Sequence, residues 1–217
     1  AVRARRGGAE GIGLYRSEFP FIIRNEFLSE EQQVRLYSQI VSAFPNEEVV
    51  LRTAVMGGDK LMAGQEEEER APFLGVRGIR FSLAYPVEFK KQLRAMLRAA
   101  ANREVKIMFP MVSSVDEVAK GRDMVDRARL ELEAEGVPHC TSPLVGAMVE
   151  LPSAVISIGE LAKQTDFLSI GTNDLIMYML AVDRTNERLE ELYRSHHPTI
   201  LRTITMISEG VGENLEE

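Results

Sequence analysis

An α/β fold with a parallel sheet follows from this sequence on three grounds. Six short runs rich in Val, Ile, Leu and Phe alternate with longer amphipathic stretches. Most of these runs lack polar alternation, as strands covered on both faces do. The stretches between them carry helix start and stop signals and no low-complexity linker, the pattern of repeated βα units joined by right-handed crossovers.

The candidate strands are the glycine-rich Gly11–Tyr15, then Val49–Thr53, Val76–Arg80, Val105–Phe109, Val145–Val149 and Phe167–Ile170. Ser29-Glu30-Glu31-Gln32 is a capping box, opening a helix that runs to about Phe44, ahead of Pro45. Pro86 suits the first turn of a helix ending near Asn102. Ser114-Val115-Asp116-Glu117 is a second capping box, and Gly136 stops the helix that follows it. Pro152 opens a helix ending near Gln164, Asp174 to Ala181 forms one or two turns, and Pro198 opens the last long helix.

Such units build either a (β/α) barrel or an open doubly wound sheet, and periodicity alone leaves both open. A dinucleotide-binding version is disfavoured, because no G-x-G-x-x-G follows a strand. The glycine-rich segment Gly7–Gly13 precedes its strand, whereas a phosphate loop must follow one to sit on a helix N-terminus.

Composition narrows the function classes. The length of 217 residues suits one domain with a single core. No run of about 18 apolar residues predicts a membrane span, and the basic start, Ala1 to Arg6, lacks the apolar stretch of a signal peptide. A lone cysteine, Cys140, excludes an internal disulfide framework and fits a reducing cytoplasm. The net charge of −7 argues against a broad nucleic-acid-binding face. It leaves room for a small anion, since a few arginines in one cleft outweigh the global sign locally. The acidic run Glu66–Glu69 reads as a solvated loop or helix end.

Polar residues recur at the ends of the apolar runs. Arg16 and Glu18 follow the first, Arg52 ends the second with Gly57-Gly58-Asp59-Lys60 beyond it, and Arg77 and Arg80 bracket the third. Glu150 follows the fifth run, and Asn173 and Asp174 follow the sixth. Singly, each reads equally as a surface ion pair, a helix cap or a dipole partner. Together they sit where parallel α/β folds place function, at the C-terminal strand ends. Arginine's planar fork matches phosphate and carboxylate oxygens, while Mg²⁺ takes one or two protein carboxylates and fills its octahedron with water and substrate oxygens. The set therefore describes a site for a divalent metal and a phosphorylated, carboxylated anion. His196 and His197 are adjacent and point apart, and His139 is distant in sequence, which argues against a histidine-based zinc site.

Several longer segments resemble one family. They are Gly11–Phe19, Arg52-Thr53 with Gly57–Lys60, Phe73–Arg80, Ile107–Met111, Met148–Pro152, and Ile170–Leu175 with Asp183-Arg184. In order and spacing they resemble the C-terminal, phosphoenolpyruvate-binding domain of phosphoenolpyruvate–protein phosphotransferases: enzyme I of the bacterial sugar phosphotransferase system and its nitrogen-regulatory paralogue. The resemblance implies a TIM-type (β/α)8 barrel, here incomplete, with the six runs matching the second to seventh strands. It implies that Arg16, Arg52 and Arg184 hold the substrate's phosphate and carboxylate, that Asn173 contacts the phosphate, and that Lys60 and Arg77 are supporting cations. It implies Mg²⁺ on Glu150 and Asp174. It further implies a homodimer, a phosphohistidine domain that takes the phosphoryl group, and a small phosphocarrier protein that receives it next.

The sequence departs from that family in three places. Ala54-Val55-Met56 stands where the family has Leu-Asp-Ile, removing an acid between Arg52 and Lys60. No phosphohistidine context surrounds any histidine. The final strand, with its proton-donating Cys-Gly-Glu motif, is lacking, and Cys140 precedes its strand and so falls at the opposite rim. Residues 1–217 thus read as one barrel domain that binds substrate and metal without turning over alone, and whose open sheet edges favour self-association. Two alternatives stand beside this reading: the related barrel of a pyruvate phosphate dikinase or phosphoenolpyruvate synthase, and a degenerate, non-catalytic dimerisation module.

Overall fold

The computed structural model describes residues 1–56, 71, 73–101 and 103–212. In chain order the elements are α1 (Val2–Arg6), β1 (Ile12–Arg16), α2 (Phe19–Arg24), α3 (Glu30–Val41), β2 (Val49–Arg52), α4 (Ile79–Ala84), α5 (Pro86–Ala99) and β3 (Lys106–Phe109). They continue with α6 (Val115–Ala134), β4 (Leu144–Val149), α7 (Pro152–Ile156), α8 (Ile158–Gln164), β5 (Phe167–Ile170), α9 (Thr172–Leu180), a 3₁₀ turn (Glu187–Leu192) and α10 (Pro198–Gly212).

The five strands form one sheet in the order β1-β2-β3-β4-β5, every neighbouring pair parallel. Spatial order equals sequence order, so the sheet never reverses direction. A doubly wound sheet must reverse at a switch point; this one is singly wound, the topology of a barrel wall. The helices follow in the same order, α3 against α5, α5 against α6, α6 against α8 and α8 against α10. The protein is therefore a partial TIM-type (β/α) barrel.

Side-chain alternation divides the strands between two faces. Leu51, Ile107, Phe109, Val145, Ala147 and Val149 join the main core with the outer helices. Val50, Met108 and Met148 form a separate buried cluster, with Phe167 packed against it, on the face the helices leave uncovered. That inner face leads into the polar ends of the strands.

The local signals place most elements as read. Both capping boxes form: Ser29 with Gln32, and Ser114 with Glu117. Pro86, Pro152 and Pro198 each open a helix, and Gly136 ends α6 with φ 67°. Two expectations need correction. The run Val76–Arg80 is no strand, so among the described residues the sheet has five strands rather than six. Gly78 takes φ 58°, ψ −129°, which breaks an extended path, and α4 begins at Ile79. The helix opened by Pro152 is interrupted at Ser157 and becomes the short pair α7 and α8.

Candidate functional site

Six chain segments bring their polar residues to one mouth, at the C-terminal ends of the strands. Arg16 ends β1 and Arg52 ends β2. Glu150 follows β4 directly, and Asn173 and Asp174 lie in the first turn of α9, just after β5. Arg77 comes from the loop before α4 and Arg184 from the segment after α9. All seven line one open cleft of about 230 Å³. Lys60 and the acidic run 66–69 lie outside the described residues. Arg80 does not share this cleft; it sits on α4, with Nε 3.5 Å from the Glu117 carboxylate.

The arginines are in different states. Arg52 is 6% exposed and binds the fully buried Glu18, Nη2 to Oε1 at 2.6 Å. Its Nη1 lies 3.8 Å from Met148 Sδ, across the inner face. Arg16 is half exposed and shares the same Glu18 oxygen, with Nε donating at 3.0 Å. Glu18 is thus the common counter-ion of two site arginines. This answers the loss of the acid at position 55: Val55 lines the cleft as an apolar residue, and the negative charge beside Arg52 comes from β1's end instead. Ser17 Oγ donates to the Arg52 carbonyl at 2.7 Å. Gln92 Nε2 donates to Ser17 Oγ at 3.1 Å, while its Oε1 accepts from the Ala54 N–H at 3.0 Å. An outer helix, α5, thereby ties the first two strand ends together.

Arg77 is 3% exposed, and among the described residues its Nε and Nη1 have no hydrogen-bond partner. Its guanidinium lies over the Phe73 ring, 5.4 Å from the centroid. Burying two donor nitrogens of a cation without acceptors is unfavourable unless a ligand supplies them. Across the cleft, Glu150 is buried and accepts the Met111 N–H at Oε1, 2.7 Å away. Burial and, next, the neighbouring Asp174 charge push its carboxyl up to about 7, against the Met111 N–H and the charges of Arg52 and Arg77. Asp174 Oδ1 is buried with no hydrogen bond among the described residues, 3.6 Å from Arg184 Nη1. Two neighbouring carboxylates, one oxygen unbonded and one group resisting ionisation, fit a divalent cation. No larger metal-ligating cluster occurs among the described residues.

Arg80 apart, every substrate- or metal-binding residue expected from the sequence and lying within the described part lines this mouth. Three contributors escaped the sequence reading. Glu18 stood among the strand-end polar residues without a role; two arginines converging at parallel strand ends require a buried acid, and that was the available signal. The Met111 N–H carries none, because a backbone donor is invisible in side-chain chemistry. Gly171 carries a weak one: a Cβ there would lie 2.6 Å from Glu150 Oε2. Cys140 is buried ahead of β4, with its N–H bonded to the Leu97 carbonyl at 2.9 Å. It lies at the N-terminal end of its strand, away from the cleft.

Comparison with known proteins gives the same picture. Among solved structures, an HpcH/HpaI aldolase/citrate lyase family protein from Burkholderia cenocepacia superposes with TM-score 0.58 at 14% identity, over 98% of this chain and 71% of that one. Citrate synthase SbnG gives 0.54 at 12% identity, over 98% and 68%. At such identities the likeness speaks for the fold alone. In sequence, the chain is 44% identical over 204 residues to the phosphoenolpyruvate-protein phosphotransferase of Listeria monocytogenes, covering 94% of this chain and 36% of that protein. It is 46% identical over 200 residues to a protein of Escherichia coli K12 named phosphoenolpyruvate-dependent phosphotransferase system, covering 92% and 27%. The chain thus spans about a third of the length of these relatives. The family described as PEP-utilising enzyme, PEP-binding domain, matches residues 1–214. With the barrel wall, the arginine-lined mouth and a match over nearly its whole length, this chain belongs to the PEP-binding domain family of PEP-utilising enzymes.

Proposed function

We propose that this chain is the substrate-binding barrel of a phosphoenolpyruvate–protein phosphotransferase, and that it holds phosphoenolpyruvate with Mg²⁺ for phosphoryl transfer to a protein histidine. One observation carries the reading: Arg77, buried with two unpartnered donor nitrogens, faces the same cleft as the Glu150–Asp174 carboxylate pair. An anion with its cation completes both halves. The names of the relatives favour this transferase over a dikinase.

In this reading Arg16, Arg52 and Arg184, with Arg77 and Lys60 in support, hold the phosphate and carboxylate, and Asn173 adds a phosphate contact. The fixed guanidinium forks select for a dianion and orient its bridging oxygen. Glu150 and Asp174 would hold Mg²⁺, which would supply positive charge to offset negative charge on the substrate. During transfer the bond between phosphorus and the enol oxygen breaks, the oxygen keeps the electron pair, and phosphorus bonds an imidazole nitrogen of a separate domain. The buried arginines stabilise the enolate left behind, in a site where Arg52 and Arg77 need no reorganisation. Protonation of the enolate carbon then yields pyruvate. Cys140, at the N-terminal end of its strand, is on the wrong side of the barrel to give that proton. The phosphohistidine domain, a small phosphocarrier protein, a second copy of the chain and a cytoplasmic setting belong to the same proposal, as does the treatment of residues 1–217 as one domain. No helix among the described residues is long and apolar enough to cross a membrane.

Titration calorimetry tests the reading. Phosphoenolpyruvate should bind only with Mg²⁺ present. Arg184→Ala and Glu150→Gln should each abolish detectable binding while the circular dichroism spectrum is retained. Wild-type affinity in both variants would refute the site.

A further inference from the structure

We propose that Met111 is a positioning residue for the Glu150 carboxylate, acting through its backbone N–H, and that Gly78 is there to allow it. The inference rests on the reading of Glu150 as a magnesium ligand.

Three non-glycine residues among those described have positive φ: Asn25, Met111 and Ala181. Asn25 and Ala181 cap the ends of α2 and α9, where left-handed backbone is routine. Met111, at φ 57°, ends no helix. It lies beyond β3 and Pro110, and its N–H reaches Glu150 Oε1 at 2.7 Å. An unbranched apolar side chain gains nothing from this conformation, which persists only where the surroundings impose it and which gathers at functional sites.

The surroundings that impose it are visible. Ile79 N–H donates to the Pro110 carbonyl at 3.1 Å, and Gly78 N–H donates to the Met56 carbonyl at 3.2 Å. Gly78 itself has φ 58°, and a Cβ on it would lie 2.6 Å from Met111 Cβ and 3.1 Å from the Pro110 carbonyl oxygen. The turn bearing Arg77 is therefore locked against the turn bearing Met111. On the far side, Gly171 lets Glu150 Oε2 approach its backbone so closely that a Cβ would stand 2.6 Å away. The carboxylate is held from both sides, by a donor on one oxygen and a bare backbone against the other. Carboxylates so restrained present a fixed lone pair to a metal. The turn after β3, ending at Met111, and Gly78 within Phe73–Arg80 thus acquire a part in the site.

Two substitutions separate this role from simple packing. Valine's branched Cβ disfavours the left-handed region, which glycine adopts freely. Glycine, in turn, forfeits more buried contact than valine at this 4% exposed position. Backbone positioning and packing thus predict opposite orders. Apparent Mg²⁺ affinity would be read by calorimetry on the 217-residue chain at saturating phosphoenolpyruvate. Met111→Val should weaken it about tenfold or more, the usual size for losing a partner of a metal ligand, and Met111→Gly should weaken it less. The reverse order, or unchanged affinity in both, overturns the proposal. A second measurement needs no variant at position 111. The Met111 amide proton resonance should move upfield in Glu150→Gln, where a neutral oxygen accepts more weakly; an unmoved resonance also overturns the proposal. Wild-type protein that takes up no Mg²⁺ with phosphoenolpyruvate overturns the functional reading itself, an outcome distinct from intact binding with no response to Met111→Val.

Discussion

Replacing Glu150 by glutamine should make the metal-free protein more stable at neutral pH, by an amount that vanishes in acid. Glu150 is 1% exposed and lies beside Asp174, and its carboxyl is pushed from the ordinary 4.5 up to about 7. Below about pH 4.5 the group is protonated in both folded and unfolded chains. Between about 4.5 and about 7 the unfolded chain sheds a proton that the folded chain keeps, so stability falls as pH rises. Above about 7 both states are charged and the loss is complete. A shift of this size is worth on the order of 3 kcal/mol, and the Asp174 coupling makes that an upper bound. Urea denaturation of wild type and Glu150→Gln, in a chelator from pH 5 to pH 8, measures the difference directly. The variant should exceed wild type by less than about 1 kcal/mol at pH 5 and by up to about 3 kcal/mol at pH 8. Adding Mg²⁺ with phosphoenolpyruvate should stabilise wild type most at high pH, because the cation competes with the proton for the same oxygens. A stability difference that stays flat with pH would refute the reasoning, since burial beside a second carboxylate must then leave Glu150 unstrained.

Three other changes test the site from different sides. Arg77→Met should reduce phosphoenolpyruvate affinity roughly tenfold to a hundredfold in calorimetry, the value of one charge-assisted bond. It should leave the metal-free protein equally or more stable, because it removes a buried cation with two unpartnered nitrogens. Glu18→Gln keeps the shape but strips the buried counter-ion from Arg52, and should cost about 3–5 kcal/mol in urea denaturation; a cost below about 1 kcal/mol would mean that Arg52 finds its compensation elsewhere. Gly171→Ala drives a Cβ to 2.6 Å from Glu150 Oε2, and should weaken Mg²⁺-dependent binding while the far-ultraviolet spectrum stays unchanged.

The sequence by itself determined the elements whose causes are local. The capping boxes at Ser29 and Ser114 and the prolines at positions 86, 152 and 198 are short-range chemistry and formed where they were read, as did five of the six apolar strands. The chemistry of the site was legible for a related reason. Parallel βα units deliver every strand's C-terminal end to the same side, so Arg16, Arg52, Glu150 and Asp174 converge without any knowledge of the packing between them.

What only the tertiary structure decided depends on neighbours distant in the chain. Val76–Arg80 has a strand's composition, yet Gly78 must fit beneath Met111 and Pro110, more than thirty residues on, and that contact turns the segment into a helix start. Barrel rather than open sheet is a matter of strand order, which periodicity does not encode and the singly wound sheet does. The fully buried Glu18, shared by Arg16 and Arg52, and the Met111 N–H aimed at Glu150 are likewise products of assembly. Charge pairing at 3 Å and backbone donors exist only once the chain has closed on itself, whereas helix caps and strand ends are settled within a few residues.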